Sequence, residues 1–286
     1  MSVAAAAVQV RVAGLPPKPK AFLRWVGGKQ LLAARLLSLL PADVFERRYY
    51  EPFLGAGSLF FALEPTSALL SDLNGHLINA YQHVRDNYSL VCRRLAEHRQ
   101  RNNRGYYYSI RDAYNRSQPS ASQAARFIYL NHTSYNGVFR VNTKGKYNVP
   151  FGDKPKPNFP DASRLALVSE ALATSELRMT DFEEALAEVG ENDFAYVDPP
   201  YPPLNGTSFF THYTTGRFSG ADQQRLANAL VEVDRRGGLF LMTNADTPLI
   251  RNLYKNFTID EMDVTRFVSC KGNRYKIGEL VITNYI

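Results

Sequence analysis

Asp198-Pro199-Pro200-Tyr201 follows directly on the apolar run FAYV, and its residue types suit recognition of a planar group bearing an NH2. A buried strand that ends in a carboxylate delivers it to the C-terminal edge of an α/β sheet, the crevice where such sheets bind ligands. Two consecutive prolines fix φ and remove two backbone donors, so the Pro199 carbonyl is left for a partner outside the sheet. Asp198 and that carbonyl make two acceptors, and Tyr201 adds an aromatic face beside them. The exocyclic amine of a nucleobase is one group that fits. A plain Asp-Pro turn at a strand end is the alternative reading of the same residues.

Positioning such a turn takes a sheet, and the composition allows one. The chain has 286 residues, 45% of them hydrophobic and 21% charged, which fits one large domain or a core carrying a sizeable insertion. No uninterrupted apolar run approaches the ~20 residues that span a bilayer, so a membrane bundle is excluded. Two cysteines, Cys92 and Cys270, cannot build a disulfide framework and point to a reducing, cytoplasmic setting. Residues 1–19 open with an alanine run and end in LPPKPK. They lack the basic start and longer apolar core of a secretory signal and read as a flexible tail.

LLAARLLSLLP has helical spacing and stops at Pro41. RRYYEPF reads as a strand broken by the turn Phe53-Leu54-Gly55-Ala56-Gly57, SLFFAL as a helix, and SALLSDL as a second strand ending at Asp72. Strand, glycine loop, helix and strand together open a doubly wound α/β sheet. From about 76 to 165 the character changes. INAYQHVRDNYSLVCRRLAEH and ASQAARFIYLNH are helical, the tyrosines 106–108 give a helix packing face, and VFRVNTKGKYNVPFG is hairpin-like with its turn glycine at Gly145. After Pro160 the alternation resumes through LALVSEAL, SELRMT, DFEEALAEV, FAYVD, SGADQQRLANALVEVDRR, GLFLMTN, TPLIRNLYKN and ELVITNYI. The expected organisation is a core of residues 20–75 and 166–286, split by an insertion of 76–165.

Charge follows the same division. The net +7 is concentrated in His76–Arg164, which carries 15 Lys/Arg against 5 Asp/Glu, whereas the rest of the chain carries 19 against 22. A local basic field of this kind faces a polyanion, nucleic acid before an anionic membrane. A solvated basic face has the same composition.

Taken together, FLRWVGGK, YYEPFLGAGSLFF, LLSDLNGHLINAY, FIYLNHTSYNGVFRVNTKGKYNVPFG, YVDPPY and FTHYTTGRFSGADQQRLA, with a late TN before a helix, resemble the DNA adenine methylase family of S-adenosylmethionine-dependent DNA N6-adenine methyltransferases. The likeness runs from about Ala21 to the C-terminus. It implies a Rossmann-like α/β methyltransferase core with a mostly parallel, seven-stranded-type sheet and an inserted helical and β-hairpin recognition domain. It also implies S-adenosylmethionine as cofactor, duplex DNA as partner, no metal and no membrane, and a monomer. A cognate restriction endonuclease acting on the same site is the partner that a restriction–modification member would have.

The resemblance assigns roles residue by residue. Asp198, Pro199, Pro200 and Tyr201 become the catalytic turn. With both N6 protons accepted, one by Asp198 and one by the Pro199 carbonyl, the amine nitrogen localises its lone pair and can attack a methyl group in line. Tyr201 would stack on the base, an interaction worth roughly 1–3 kcal/mol. The cofactor would meet Trp25, Lys29, Glu51, Phe53, Gly55, Gly57, Asp72, Asp181, Phe182 and Asp198. Asp72 suits a ribose diol and Asp181 the cofactor's adenine amine, though either could simply cap the next helix. Lys29 could equally be an exposed helix-start cation, and Trp25 a core anchor.

In the insertion, Tyr135 and Asn136 match the position that probes the space left by a flipped base. Arg140 matches a base-reading arginine whose fork suits guanine O6/N7, with Asn142 as a base-edge and Lys144 as a phosphate candidate. Asp153 stands where some GATC-specific relatives carry a basic residue, so the expected site is GATC or a related GAT-containing sequence. An RNA adenine or protein glutamine methyltransferase, or a non-catalytic DNA-binding module, could share the fold. The basic insertion argues against glutamine, the YNG…FR hairpin against RNA, and the intact DPPY with both loop glycines against loss of catalysis. Cys92, Cys270 and the five histidines, His132 and His212 among them, show no ligand spacing.

Overall fold

The computed structural model describes residues 17–154, 156–202, 218–267 and 274–285. Cys270, His212, much of the FTHYTTGRF block and the first 16 residues of the expected tail lie outside the described residues. In chain order the elements are α1 (Ala33–Leu37), β1 (Arg48–Glu51), α2 (Ser58–Leu63), β2 (Ala68–Ser71), α3 (Gly75–Gln100), α4 (Arg104–Tyr114), α5 (Ala121–Thr133) and α6 (Ala162–Leu172). They continue with β3 (Ser175–Arg178), α7 (Phe182–Ala187), β4 (Asp193–Val197), α8 (Gly220–Arg235), β5 (Leu239–Ala245), α9 (Pro248–Leu253), β6 (Thr258–Phe267) and β7 (Arg274–Thr283).

The strands form one seven-stranded sheet in the order β3-β2-β1-β4-β5-β7-β6. β1 to β5 run parallel, and β7 lies antiparallel between β5 and β6. The expected doubly wound α/β core is therefore present. Its chain path reverses between β1 and β4, which puts the ends of those two strands at the switch point where such sheets bind ligands. Side chains alternate between two apolar layers, as a strand's period of two requires. Tyr49, Leu70, Phe194 and Tyr196 feed one layer, while Tyr50, Leu69, Ala195 and Val197 feed the other.

Polar caps start the helices where the sequence has them. Ser219 and Asp222 form a reciprocal capping box at α8, and Asn74, Asn103, Ser120 and Asp161 accept backbone N–H groups at α3, α4, α5 and α6. α1 is shorter than the LLAARLLSLL pattern suggests: it spans five residues, and Leu31 lies before it in the open. β6 answers to no element in the sequence reading. It is a sheet edge bearing Asp260 and Glu261, and charges of that kind blunt an edge.

The insertion has no separate core. Leu77, Phe127, Tyr129 and Tyr147 join the same buried layer as Leu70 and Phe194. The hairpin-like run closes with single bridges, Val141 to Tyr147 and Ser134 to Phe151, rather than a ladder. Helix α4 holds its return limb instead. The Tyr107 hydroxyl donates to the Val149 carbonyl at 2.9 Å, and Asn115 exchanges two hydrogen bonds with the backbone of Tyr147.

Candidate active site

The loop after β1 is shaped by its glycines. Gly55 and Gly57 have φ of 45° and 61°, the left-handed region where glycine carries no steric cost. A Cβ on Gly55 would meet Trp25 Cδ1 at 2.8 Å, so the indole lies directly on the loop. Trp25 also stacks on Phe139 of the hairpin, with ring centroids 6.1 Å apart. It is thus a half-buried bridge between the glycine loop and Phe139 rather than a simple core anchor.

Asp72, just past β2, ties this loop from the other side. Its carboxylate accepts the Gly55 N–H at 3.2 Å and the Asn74 N–H at 2.9 Å. The cap of α3 is Asn74 and not Asp72. Burial raises the Asp72 pKa to about 6 against the pull of those two donors. Glu51, at the end of β1, is pushed further. Burial raises it to about 8, opposed by the Tyr49 hydroxyl, which donates to it at 2.8 Å. At neutral pH the Glu51 carboxyl in the floor of the loop therefore keeps its proton.

Across the switch point stands Asp198. Lys29 Nζ lies 2.5 Å from its Oδ1 and 2.6 Å from its Oδ2, and Thr243 Oγ1 donates to Oδ1 at 2.8 Å. Lys29 is only 5% exposed and also lies 3.3 Å from the Glu279 carboxylate, so the reading of an exposed helix-start cation is corrected. A lysine buried among acids is stable there because its charge is paired. Its ammonium sits 4.9 Å above the Tyr201 ring, and the Tyr201 hydroxyl donates to Glu279. The Pro200 carbonyl is held by Gln223 Nε2 at 3.1 Å, and Gln223 is held in turn by Asn244. Among the described residues the Pro199 carbonyl takes no such bond.

The glycine loop, Lys29 and the Asp198–Tyr201 turn line one cavity of about 600 Å3, within the ordinary size of a ligand pocket. Trp25, Lys29, Glu51, Phe53, Gly55, Gly57 and Asp72 line it from the first half of the core; Asp181, Phe182 and Asp198 through Tyr201 line it from the second. At one end Phe53 stacks on Phe182 at 5.4 Å and meets Phe218 edge-on at 5.7 Å, so that the three rings form one packed aromatic wall of the cavity. Asp181 caps α7 through the Glu183 N–H and also pairs with Arg225 at 3.0 Å. At the other end the hairpin contributes Phe139, Val141 and Gly145.

The DNA candidates of the hairpin lie outside the cavity. Tyr135, Asn136, Arg140 and Lys144 are exposed. Asn136 adopts a left-handed φ of 55°. Arg140 Nε donates to Asn148 Oδ1 at 2.8 Å, which fixes the guanidinium plane. Asn142 spends its carbonyl on the turn, accepting the N–H groups of Lys144 and Lys146 at 2.9 and 3.0 Å, so its NH2 is the group left to meet a partner. His132, read as a satisfied polar residue, pairs with the Phe22 carbonyl at 2.9 Å.

The model of the D12 class N6 adenine-specific DNA methyltransferase family matches residues 25–268. This chain belongs to that family. The Type II methyltransferase M1.LlaDCHI of Lactococcus lactis subsp. cremoris is 36% identical over 271 residues, covering 92% of this chain and 95% of that protein. The Type II methyltransferase M.MjaIII of Methanocaldococcus jannaschii is 35% identical, covering 93% and 99%. The DNA adenine methylase of Escherichia coli K12 is 35% identical, covering 92% and 95%. The chain is an adenine-specific DNA methyltransferase, and a methyl donor of the S-adenosylmethionine type follows from the family. No helix among the described residues is long and apolar enough to cross a membrane.

Sequence reasoning left out four side chains of this candidate site. Thr243, Gln223, Asn244 and Glu279 hold the Asp198–Tyr201 turn from β5, α8 and β7. The first three lie in the TN and ADQQ stretches, where a motif comparison could have found them. Glu279 has no local signal beyond a charge opening an apolar strand.

Proposed function

We propose that the enzyme transfers a methyl group to N6 of an adenine flipped out of duplex DNA, within GATC or a related GAT-containing site. What carries the reading is that one cavity takes lining from the glycine loop, from the Asp198–Tyr201 turn and from the recognition hairpin. A methyl donor and an extruded base can then meet between them.

The residues present fit S-adenosylmethionine. Glycine backbone at Gly55 and Gly57 allows close approach, Glu51 and Asp72 offer carboxyls to an amine and a diol, and Phe53, Phe182 and Phe218 form an apolar wall on which a purine can lie. Trp25 closes the loop side, and Asp181 stands beside that wall. When bound, that cofactor supplies an electrophilic methyl on a sulfonium. The chain's own part is to hold the nucleophile. Oδ1 of Asp198 is committed to Lys29 and Thr243, whereas Oδ2 has only Lys29 among the described residues. Oδ2 and the Pro199 carbonyl are therefore the acceptors for the two N6 protons. Accepting both concentrates the nitrogen lone pair toward the methyl. The N6 proton leaves after transfer, so Asp198 acts by orientation and charge rather than as a strong base. Pro200 locks the turn, and Tyr201 stacks on the base.

Outside the cavity, Tyr135 and Asn136 would fill the gap left by the flipped base, Arg140 would read a guanine, and Asn142 and Lys144 would meet a base edge and a phosphate. The division into a cofactor-binding core and a recognition insertion of 76–165 belongs to the same reading. Methylating mixed-sequence DNA with labelled S-adenosylmethionine, then mapping the modified adenines, tests it. Modification at one short GAT-containing sequence is the expected result; scattered modification, or none at adenine, would overturn the site reading.

A further inference from the structure

Glu279 is a glutamate in the middle of a sheet. It sits on β7 with Ala245 of β5 on one side and Met262 of β6 on the other, and it is 1% exposed. Its neighbours Leu280 and Ile282 are ordinary core residues. A carboxylate at such a position carries a desolvation cost that a leucine or valine would not, and replacing buried charges by apolar groups is often neutral or stabilising. Stability alone gives no reason for an acid here.

Its contacts give one. Lys29 Nζ lies 3.3 Å from Glu279 Oε1, and the Tyr201 hydroxyl donates to the same oxygen. Lys29 is the group that grips both oxygens of Asp198, and Tyr201 is the ring over which the Lys29 ammonium rests. One oxygen on a strand paired along both sides therefore holds two side chains, far apart in the chain, that flank Asp198.

We propose that Glu279 is a positioning residue for methyl transfer, holding Lys29 and Tyr201 so that Asp198 Oδ2 and the tyrosine face are presented together to the target base. This rests on the reading of Asp198 and Tyr201 as the groups that hold adenine. Without Glu279, Lys29 loses its second counter-ion and settles on Asp198 alone, drawing the carboxylate away from the amine. Tyr201 loses its hydroxyl's bond to Glu279. Small misplacements of this kind act on the rate of the chemical step more than on binding.

The test is single-turnover transfer by the full-length enzyme, preloaded with DNA and S-adenosylmethionine. Glu279→Gln should slow the step by about 100-fold while the dissociation constants for DNA and cofactor move by no more than about threefold. Because Glu279 works through Lys29, adding Glu279→Gln to Lys29→Met should cost less than about threefold further, a clear departure from additivity. A wild-type rate in Glu279→Gln, a loss matched in the two binding constants, or multiplicative losses in the double variant would each overturn the proposal. Should the Gln variants fail to fold, Tyr201→Phe, which keeps the ring and removes only the hydroxyl, decides the matter: about a tenfold slowing is expected, and an unchanged rate overturns it. Asp198→Ala separates the two levels. Activity in that variant would sink the base-holding reading itself, whereas a dead Asp198→Ala beside an unaffected Glu279→Gln would sink only the role of Glu279.

Discussion

The cavity and the exposed hairpin after α5 are built on opposite principles. In the cavity, polar groups are buried and each is tied to a partner: Lys29 to Asp198 and Glu279, Asp72 to two backbone N–H groups, Glu51 to the Tyr49 hydroxyl. In the hairpin, Tyr135 is 52% exposed, the strands touch through single bridges, and Arg140 and Lys144 face solvent. Chemistry needs acceptors fixed before the substrate arrives, while reading DNA needs side chains that can reach and adjust to base edges and phosphates. The net charge is split the same way, with the basic excess in the insertion and a slight acidic excess elsewhere.

Substitutions on the two sides should therefore fail differently. The largest effect is expected at the cavity: Asp198→Ala should lower transfer by at least about 10²–10³-fold with DNA affinity nearly unchanged in a filter or fluorescence binding assay. Loss of binding in parallel with activity would erase the contrast. On the hairpin, Arg140→Ala should lose roughly 1–3 kcal/mol of discrimination at one guanine while methylation of the remaining sequence preference persists. Uniform weakening at every base position would make Arg140 a phosphate contact. Tyr135→Ala should weaken base extrusion by on the order of tenfold, at the low end of the stacking range, reported by the fluorescence of 2-aminopurine placed at the target. An unchanged signal would count against that role.

The smallest effect concerns stability. The Glu51 pKa stands at about 8 in the folded protein, above the ordinary carboxyl range. The native state therefore keeps a proton that the unfolded chain releases. That stabilisation is fully present below the unfolded pKa and is lost as pH rises through the folded one. Asp72 acts in the same direction but finishes near pH 6. Between pH 6.5 and 8 the unliganded enzyme should lose about 1–2 kcal/mol, seen as a falling unfolding temperature. Glu51→Gln should flatten that slope. An equally steep slope in the variant would show that other groups govern it.

Much of the core was legible because its signals are local. FAYVDPPY carries its own strand and turn, the FLGAG glycines announce left-handed backbone, and Ser219, Asp161 and Asp181 stand where helices begin. The core elements resting on such signals fell close to where the sequence placed them, the edge strand β6 excepted. What was not legible involves partners far apart in the chain. The resemblance put Lys29 beside the cofactor, but its residue type alone reads equally as a surface cation until Asp198, 169 positions away, and Glu279 close around it. Trp25 is unremarkable as a lone aromatic until Gly55 and Phe139 are seen on either side of it.

By itself, then, the sequence determined the strand and helix types, the turn that presents Asp198, the location of the positive charge and the family resemblance, because each depends on residue type and short-range spacing. Tertiary structure alone decided that β7 runs antiparallel between β5 and β6, that Glu279 on it reaches Lys29 and Tyr201, and that burial lifts Glu51 to about 8. Desolvation and ion pairing depend on what surrounds a group in space, and chain order does not encode that surrounding in any short segment.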